Sequence, residues 1–144
     1  MLGDLAPEEI DSLLMTETVG RIGCHASGRT YIVPITYAFD GQRIIGHSAH
    51  GMKLEMMREN PEVCFQIEHV ENLGNWKRVV AWGTFEELEG ADAMGAMNLL
   101  VEKLKPVVAS ETAMPTDGVP AKSPTRAVIY AITLREKTGR FEKR

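Results

Sequence analysis

The most regular part of the sequence is TYIVPITYAF, residues 30–39, in which apolar side chains alternate with other residues. This period of two predicts a β-strand with one buried face. Asp40-Gly41 follows as a hairpin turn and leads to a second predicted strand at 43–48. Pro34 cannot donate to a ladder, so we expect an edge strand or a bulge there. A plain edge is one interpretation; the other is an open edge whose backbone groups bind a planar ring.

Outward from this hairpin, the same patterns predict four further strands and three helices. The strands are 19–26, 62–70, 76–88 and 127–134, and the helices are 7–14, 52–60 and 90–105. Gly83 within a strand predicts a bulge or bend, and Thr138-Gly139 predicts a turn. A stripe at helical spacing in the third helix predicts core packing; it comprises Met94, Met97, Leu100, Val101 and Leu104.

Together these elements predict a mainly β fold with peripheral helices. Hairpin-length connections indicate a six-stranded antiparallel sheet, and closure into a small barrel would cover its edges. A chain of 144 residues suits a single domain, 1–144. The proline-rich segment 106–125 is predicted to be a loop, and loops of this length are usually functional or mobile.

The composition narrows the function classes. The net charge is −4 and no basic block occurs, so we do not expect a nucleic-acid surface. No apolar run is long enough for a membrane span, and no secretory signal is expected. Cys24 and Cys64 both fall in apolar strands, which favours reduced thiols and a cytoplasmic location.

The strongest local sign of chemistry is the turn between the 43–48 strand and the following helix. The first turn of a helix presents unpaired N–H groups that favour an anion. Ser48 adds a hydroxyl, Gly51 allows close backbone approach, and Lys53 adds a positive charge. The predicted guest is a phosphate; the alternative is a solvated helix lysine. His47 and His50 flank a turn without zinc-like partners, so no metal site is expected.

Several motifs in this order resemble the pyridoxamine 5′-phosphate oxidase-like flavoproteins. Within that family the chain is most similar to the short branch that includes the 5-nitroimidazole-resistance proteins, and the match is best over 18–90. The motifs are Gly20-Arg21-Ile22-Gly23, Tyr31-Ile32-Val33-Pro34-Ile35-Thr36-Tyr37, His47-Ser48-Ala49-x-Gly51-x-Lys53-Leu54, Asn60-Pro61-x-Val63-Cys64-Phe65 and Trp76-Lys77-Arg78-Val79 with Gly83.

The resemblance implies an FMN-binding split β-barrel and a homodimer with flavin at the interface. It implies that Val33, Pro34, Ile35 and Thr36 line the flavin ring, largely through backbone. It places His47 and Ser48 beside the ring and phosphate, and it implies that Gly51, Met52 and Lys53 bind the phosphate. By the same resemblance Arg78 lies near the cofactor, and Trp76 flanks the site, as a residue of either subunit.

The resemblance also implies an FMN-dependent oxidoreductase that passes electrons from NAD(P)H to a small flat acceptor such as a nitroaromatic. His47 is the expected proton donor, because the ordinary pKa of histidine lies near neutrality. The C-terminal Trp and Arg set of the longer oxidases is missing, so we do not expect oxidation of pyridoxamine phosphate itself. Alternatives are a flavin carrier or sensor without turnover, a haem or deazaflavin protein, and a dimeric interaction domain without cofactor.

Overall fold

The computed structural model describes residues 1–106 and 127–144, and most of these residues form a single curved antiparallel sheet. The helices are α1 (Pro7–Thr16), α2 (Met52–Glu59) and α3 (Gly90–Leu104). The strands are β1 (Leu2–Asp4), β2 (Val19–Ala26), β3 (Arg29–Thr36), β4 (Ala38–Phe39), β5 (Arg43–Ser48), β6 (Glu62–Asn72), β7 (Asn75–Glu87) and β8 (Val128–Glu142). The predicted loop 106–125 lies, after its first residue, outside the described residues.

The sheet returns on itself and leaves one seam. Its order is β3-β2-β6-β7-β8-β5-β4, with β1 on the far part of β8. Its two ends, β3 and β4, are consecutive in the chain and are separated only by Tyr37. The path must therefore curl until its ends meet, although β3 pairs with neither β4 nor β5 in the described part of the chain. This is the predicted split barrel.

The described residues form eight strands where six were predicted. One addition is the three-residue β1, and the other arises because Tyr37 divides the predicted 30–39 strand into β3 and β4. Tyr37 extends the β2–β3 register by one residue, since its backbone N–H donates to the Thr18 carbonyl at 3.1 Å, and its hydroxyl donates to the Leu14 carbonyl at 2.8 Å. The prediction that Pro34 lies on an edge strand is confirmed, since β3 ends the sheet.

The predicted turn at Thr138-Gly139 is wrong. Strand β8 continues through these residues, because β7 pairs along it on one side and β1 pairs with its last residues on the other. Gly139 faces Val79, and an added Cβ would lie 2.9 Å from side-chain atoms of Leu5 and Ile10. The glycine is there for close packing rather than for a change of direction.

A bulge at Gly83 is confirmed, since the β7–β8 register shifts between Trp82 and Gly83. Trp82 pairs with Glu136 and Gly83 with Leu134, so β8 carries one extra residue. An added Cβ on Gly83 would collide with the Thr133 carbonyl oxygen. The bulge bends the two longest strands of the described sheet and helps the barrel to curve.

Two apolar cores lie on either side of the sheet. The larger fills the barrel and includes Leu54, Met56 and Met57 of α2. The smaller is held between α3 and the outer faces of β4, β5 and β8. The predicted stripe of α3 is partly wrong: Leu100 and Leu104 are buried, but Met94 is 70% exposed, and Ala96 takes the buried position.

The described helices also bear on membrane insertion. None of them combines the length and the apolar composition needed to cross a bilayer.

Candidate functional site

The seam of the barrel lies between the strands that carry the two predicted halves of the site. Strand β4 pairs with β5 only at Ala38 and Phe39, opposite Ile45 and Ile44. Continued further, this register would set Thr36 opposite His47. The pairing stops instead, so the edge of β3 carrying Val33, Pro34, Ile35 and Thr36 has no partner strand among the described residues. The seam is therefore lined by unpaired backbone on both sides.

His47 and Ser48 point to opposite faces of β5. Ser48 pairs with Val128, which packs on the barrel core, whereas His47 pairs with Ile129, which packs on the α3 core. Ser48 donates its hydroxyl to the Ala49 carbonyl at 2.8 Å. Ser48 therefore lies on the barrel side of β5, and His47 lies on the α3 side.

The first turn of α2 is built for an anion. Gly51 is the N-cap, no side chain caps the helix, and the space beside its Cα is open. Lys53 is half-buried, and burial lowers the pKa of its ammonium. No carboxylate forms an ion pair with it in the described part of the chain. An unpaired, partly desolvated cation at a helix N-terminus favours a phosphate group.

The lowered pKa of His47 changes its expected role. Burial is the larger cause, and the positive charge of Lys53 acts in the same direction. Its Nδ1 is buried and has no hydrogen-bond partner among the described residues. A neutral imidazole therefore predominates at pH 7, so His47 is a weaker proton source than its ordinary pKa suggests.

Two further residues at this site were missed in the sequence. The Lys53 ammonium lies over the Tyr130 ring, 5.9 Å from its centroid, and the Tyr130 hydroxyl is buried without a partner. Burial raises the pKa of the Cys24 thiol, and Lys53 opposes that rise. Both residues come from strands distant in sequence, and their alternation patterns mark them only as core residues.

Trp76 and Arg78 lie far along the sheet from the anion end of this site. The Arg78 guanidinium lies over the Trp76 ring at 5.4 Å, on the outer face of β7. Arg78 pairs with Arg140, which is ten residues along β8 from Tyr130, or about 30 Å of extended strand. We call the group of Ser48, Gly51 and Lys53 the anion corner. Met52, at the start of α2, lies within this stretch and is 45% exposed.

The comparisons with known proteins agree with this fold. A FAD-binding protein from Mesorhizobium loti has a similar structure, with a TM-score of 0.77 and 26% identity over 99% of both chains. A candidate 5-nitroimidazole antibiotic resistance protein of Bacteroides thetaiotaomicron shares the fold, with a TM-score of 0.74 and 15% identity. That match covers 98% of this chain and 87% of the other.

The sequence comparisons point in the same direction. An uncharacterised protein of Rhizobium meliloti is 37% identical over 84 residues, which are 58% of this chain and 56% of that protein's length. The model of the family described as pyridoxamine 5′-phosphate oxidase matches residues 6–141, which is nearly the whole chain. The chain therefore belongs to the pyridoxamine 5′-phosphate oxidase family.

Proposed function

We propose that this protein binds FMN at the seam and catalyses reduction of a small flat acceptor, such as a nitroaromatic, with electrons from NAD(P)H. The observation that carries the proposal is the half-buried Lys53, without an ion-pair partner among the described residues, at the open N-terminus of α2 in a barrel whose seam leaves one edge of β3 unpaired. A flavin mononucleotide has a phosphate that suits Lys53 and the N-terminus of α2, and a ring with amide-like edges that suits the open edge of β3. When bound, the flavin supplies redox chemistry that the side chains lack.

The residues at the seam fit this cofactor. Lys53, the Ser48 hydroxyl and the backbone of Gly51 and Met52 would hold the phosphate. The unpaired edge of β3, from Val33 to Thr36, would offer backbone groups to the ring. The buried Nδ1 of the half-buried His47 has no hydrogen-bond partner among the described residues, and a ligand could supply one.

His47 would hold or move a proton beside the ring. Its lowered pKa keeps it neutral in the ligand-free chain. A bound phosphate would offset the charge of Lys53, which is the smaller cause of the lowered pKa, and so would raise that pKa. We therefore propose that proton delivery by His47 depends on the loaded site.

FAD is the second candidate ligand, because the similar Mesorhizobium loti protein binds FAD. Residues 49–52 are exposed beyond the anion corner, so this chain leaves room for a longer nucleotide. Comparison of FMN and FAD affinities would decide between them. A haem absorption band or a deazaflavin spectrum in the purified protein would show that the cofactor is neither FMN nor FAD.

We further propose a cytoplasmic homodimer. The outer face of the sheet exposes Val19, Ile32 and Val70. Trp76 and Arg78 lie on this face as well, so a dimer built on it would bring them to the flavin site of the second copy. The two cysteines are free thiols in the structure, which suits the reducing cytosol.

The experiment is a flavin-binding titration of the purified protein with FMN, FAD and riboflavin, followed by NAD(P)H-driven reduction of a nitroaromatic. The Lys53→Met variant should bind FMN about 10- to 100-fold more weakly, because it loses a charge-assisted contact to phosphate. Lys143→Met is the matched control, since it removes the same charge from an exposed position at the chain end.

Each outcome has a clear meaning. Equal FMN affinity in the parent and Lys53→Met would remove the phosphate assignment. A yellow protein that reduces no acceptor would support the carrier or sensor alternative. A colourless protein that ignores all three flavins would support an interaction domain.

A further inference from the structure

The barrel contains two fully buried tyrosines whose hydroxyls differ in one respect. Tyr37 and Tyr130 both have no exposed surface, and burial raises the pKa of both phenols well above 10. The Tyr37 hydroxyl donates to the Leu14 carbonyl at 2.8 Å. The Tyr130 hydroxyl has no partner among the described residues. A buried hydroxyl without a partner destabilises a fold, and phenylalanine at this position would avoid that cost.

The surroundings of Tyr130 connect it to the anion corner. An added Cβ on Gly46 would lie 2.5 Å from the Tyr130 hydroxyl oxygen, so the hydroxyl occupies space that is free only because residue 46 has no side chain. Gly46 is the residue before His47 on β5. Phe85 supports the ring at a centroid distance of 5.6 Å, and the Lys53 ammonium lies over it at 5.9 Å.

We infer that Tyr130 is the positioning residue of Lys53 in the anion site. Its ring holds the ammonium at the barrel mouth in the ligand-free chain, and its hydroxyl acquires a hydrogen-bond partner only when a phosphate-bearing ligand is bound. A cation held by an aromatic face keeps its donors available, whereas a carboxylate partner would compete with the incoming phosphate. This arrangement explains why the cation and the hydroxyl are both unpaired at the same place.

The inference rests on the proposed flavin site, and it makes a separate prediction about specificity. Tyr130 and Lys53 act on the phosphate, so their loss should weaken FMN but not riboflavin, which lacks the phosphate. The affinity ratio of FMN to riboflavin therefore measures their contribution. A purely structural tyrosine would change both affinities together or neither.

The experiment compares Tyr130→Phe with Tyr37→Phe by thermal unfolding and by titration with FMN and riboflavin. Tyr130→Phe keeps the ring and should lower the FMN-to-riboflavin ratio roughly three- to tenfold, the value of one hydrogen bond. It should leave the unfolding temperature of the ligand-free protein unchanged or raise it. Tyr37→Phe should lower that temperature and leave the ratio unchanged.

The outcomes separate the inference from the proposal on which it rests. If the parent binds FMN no better than riboflavin, the phosphate site itself fails. If the parent prefers FMN and Tyr130→Phe keeps the full preference, only the role of Tyr130 is overturned. Gly46→Ala provides a second variant: its Cβ displaces the same hydroxyl, so it should reduce the ratio in the same direction.

Discussion

His47 makes the stability of the ligand-free protein depend on pH. The folded chain holds the pKa of His47 below the ordinary value of 6.5, through burial and the charge of Lys53. Below pH 6.5 the unfolded chain therefore binds a proton here that the folded chain does not. Stability should fall as the pH falls from about 6.5 through the lowered pKa of the folded state.

A His47→Gln variant should show a flatter dependence over this window, measured by urea unfolding at several pH values. Glutamine does not titrate, so neither the folded nor the unfolded variant binds a proton at this position, and the contribution of His47 to the pH dependence is lost. Identical slopes in the parent and the variant would mean that His47 is not held neutral. Saturating FMN should also flatten the parent's dependence, because the phosphate favours the protonated imidazole.

The sequence predicts local chemistry better than contacts between distant residues. Ser48, Gly51 and Lys53 lie within one turn, so strand and helix patterns were enough to place them together. Tyr130 lies 77 positions after Lys53, and its strand pattern predicts only that it is buried. Nothing in that pattern indicates that its hydroxyl lacks a partner or that Gly46 makes room for it.

Lys103 of α3 stabilises the end of α1, an element far from it in sequence. Its ammonium donates to the carbonyls of Met15 at 2.7 Å and Glu17 at 2.9 Å, where α1 has no basic residue of its own. Lys103→Met should lower the free energy of unfolding by about 1–2 kcal/mol, because it removes a cation from a helix C-terminus. Chemical denaturation would measure this change.

The neighbouring Lys105 supplies the control, because it is exposed at the end of the same helix. Lys105→Met should cost at most about 0.5 kcal/mol. If the two variants lose the same stability, the contact between α3 and α1 contributes nothing beyond the general effect of removing a charge.

At the level of elements, alternation located the strands well but not every end. Strand β2 and the start of α3 fall where the pattern places them. The prediction ends β8 too early because a Thr-Gly pair is compatible with a turn and also with a strand that packs closely against its neighbours. The prediction places Met94 in the core because it follows the larger apolar side chains of α3. The buried position is taken by Ala96, whose small side chain gives a weaker signal.

At the level of the whole molecule, hairpin-length turns indicated antiparallel pairing and barrel closure. They could not indicate that β5 joins β8, because that pairing spans distant parts of the chain. They also could not locate the seam, which opens where the chain stops pairing with β2 at Tyr37 and begins pairing with β5 at Ala38. Such tertiary choices are set by packing rather than by local pattern.

The outer face of the sheet gives the last prediction, which concerns the homodimer. One row across this face runs from Ile32 through Gly23 and Cys64 to Trp82. Ile32 is 66% exposed, so Ile32→Glu should leave the monomer folded. In a dimer built on this face, the new carboxylates would lose their hydration, and the assembly should dissociate.

Sedimentation velocity should show a dimer for the parent and a monomer for Ile32→Glu, with FMN affinity falling in parallel if the site lies at the interface. Met94→Glu is the matched control, because Met94 is 70% exposed on α3, beside the other core. A parent that sediments as a monomer and still binds FMN tightly would contradict an interfacial site. In that case the proposed contribution of Trp76 and Arg78 across an interface would be wrong.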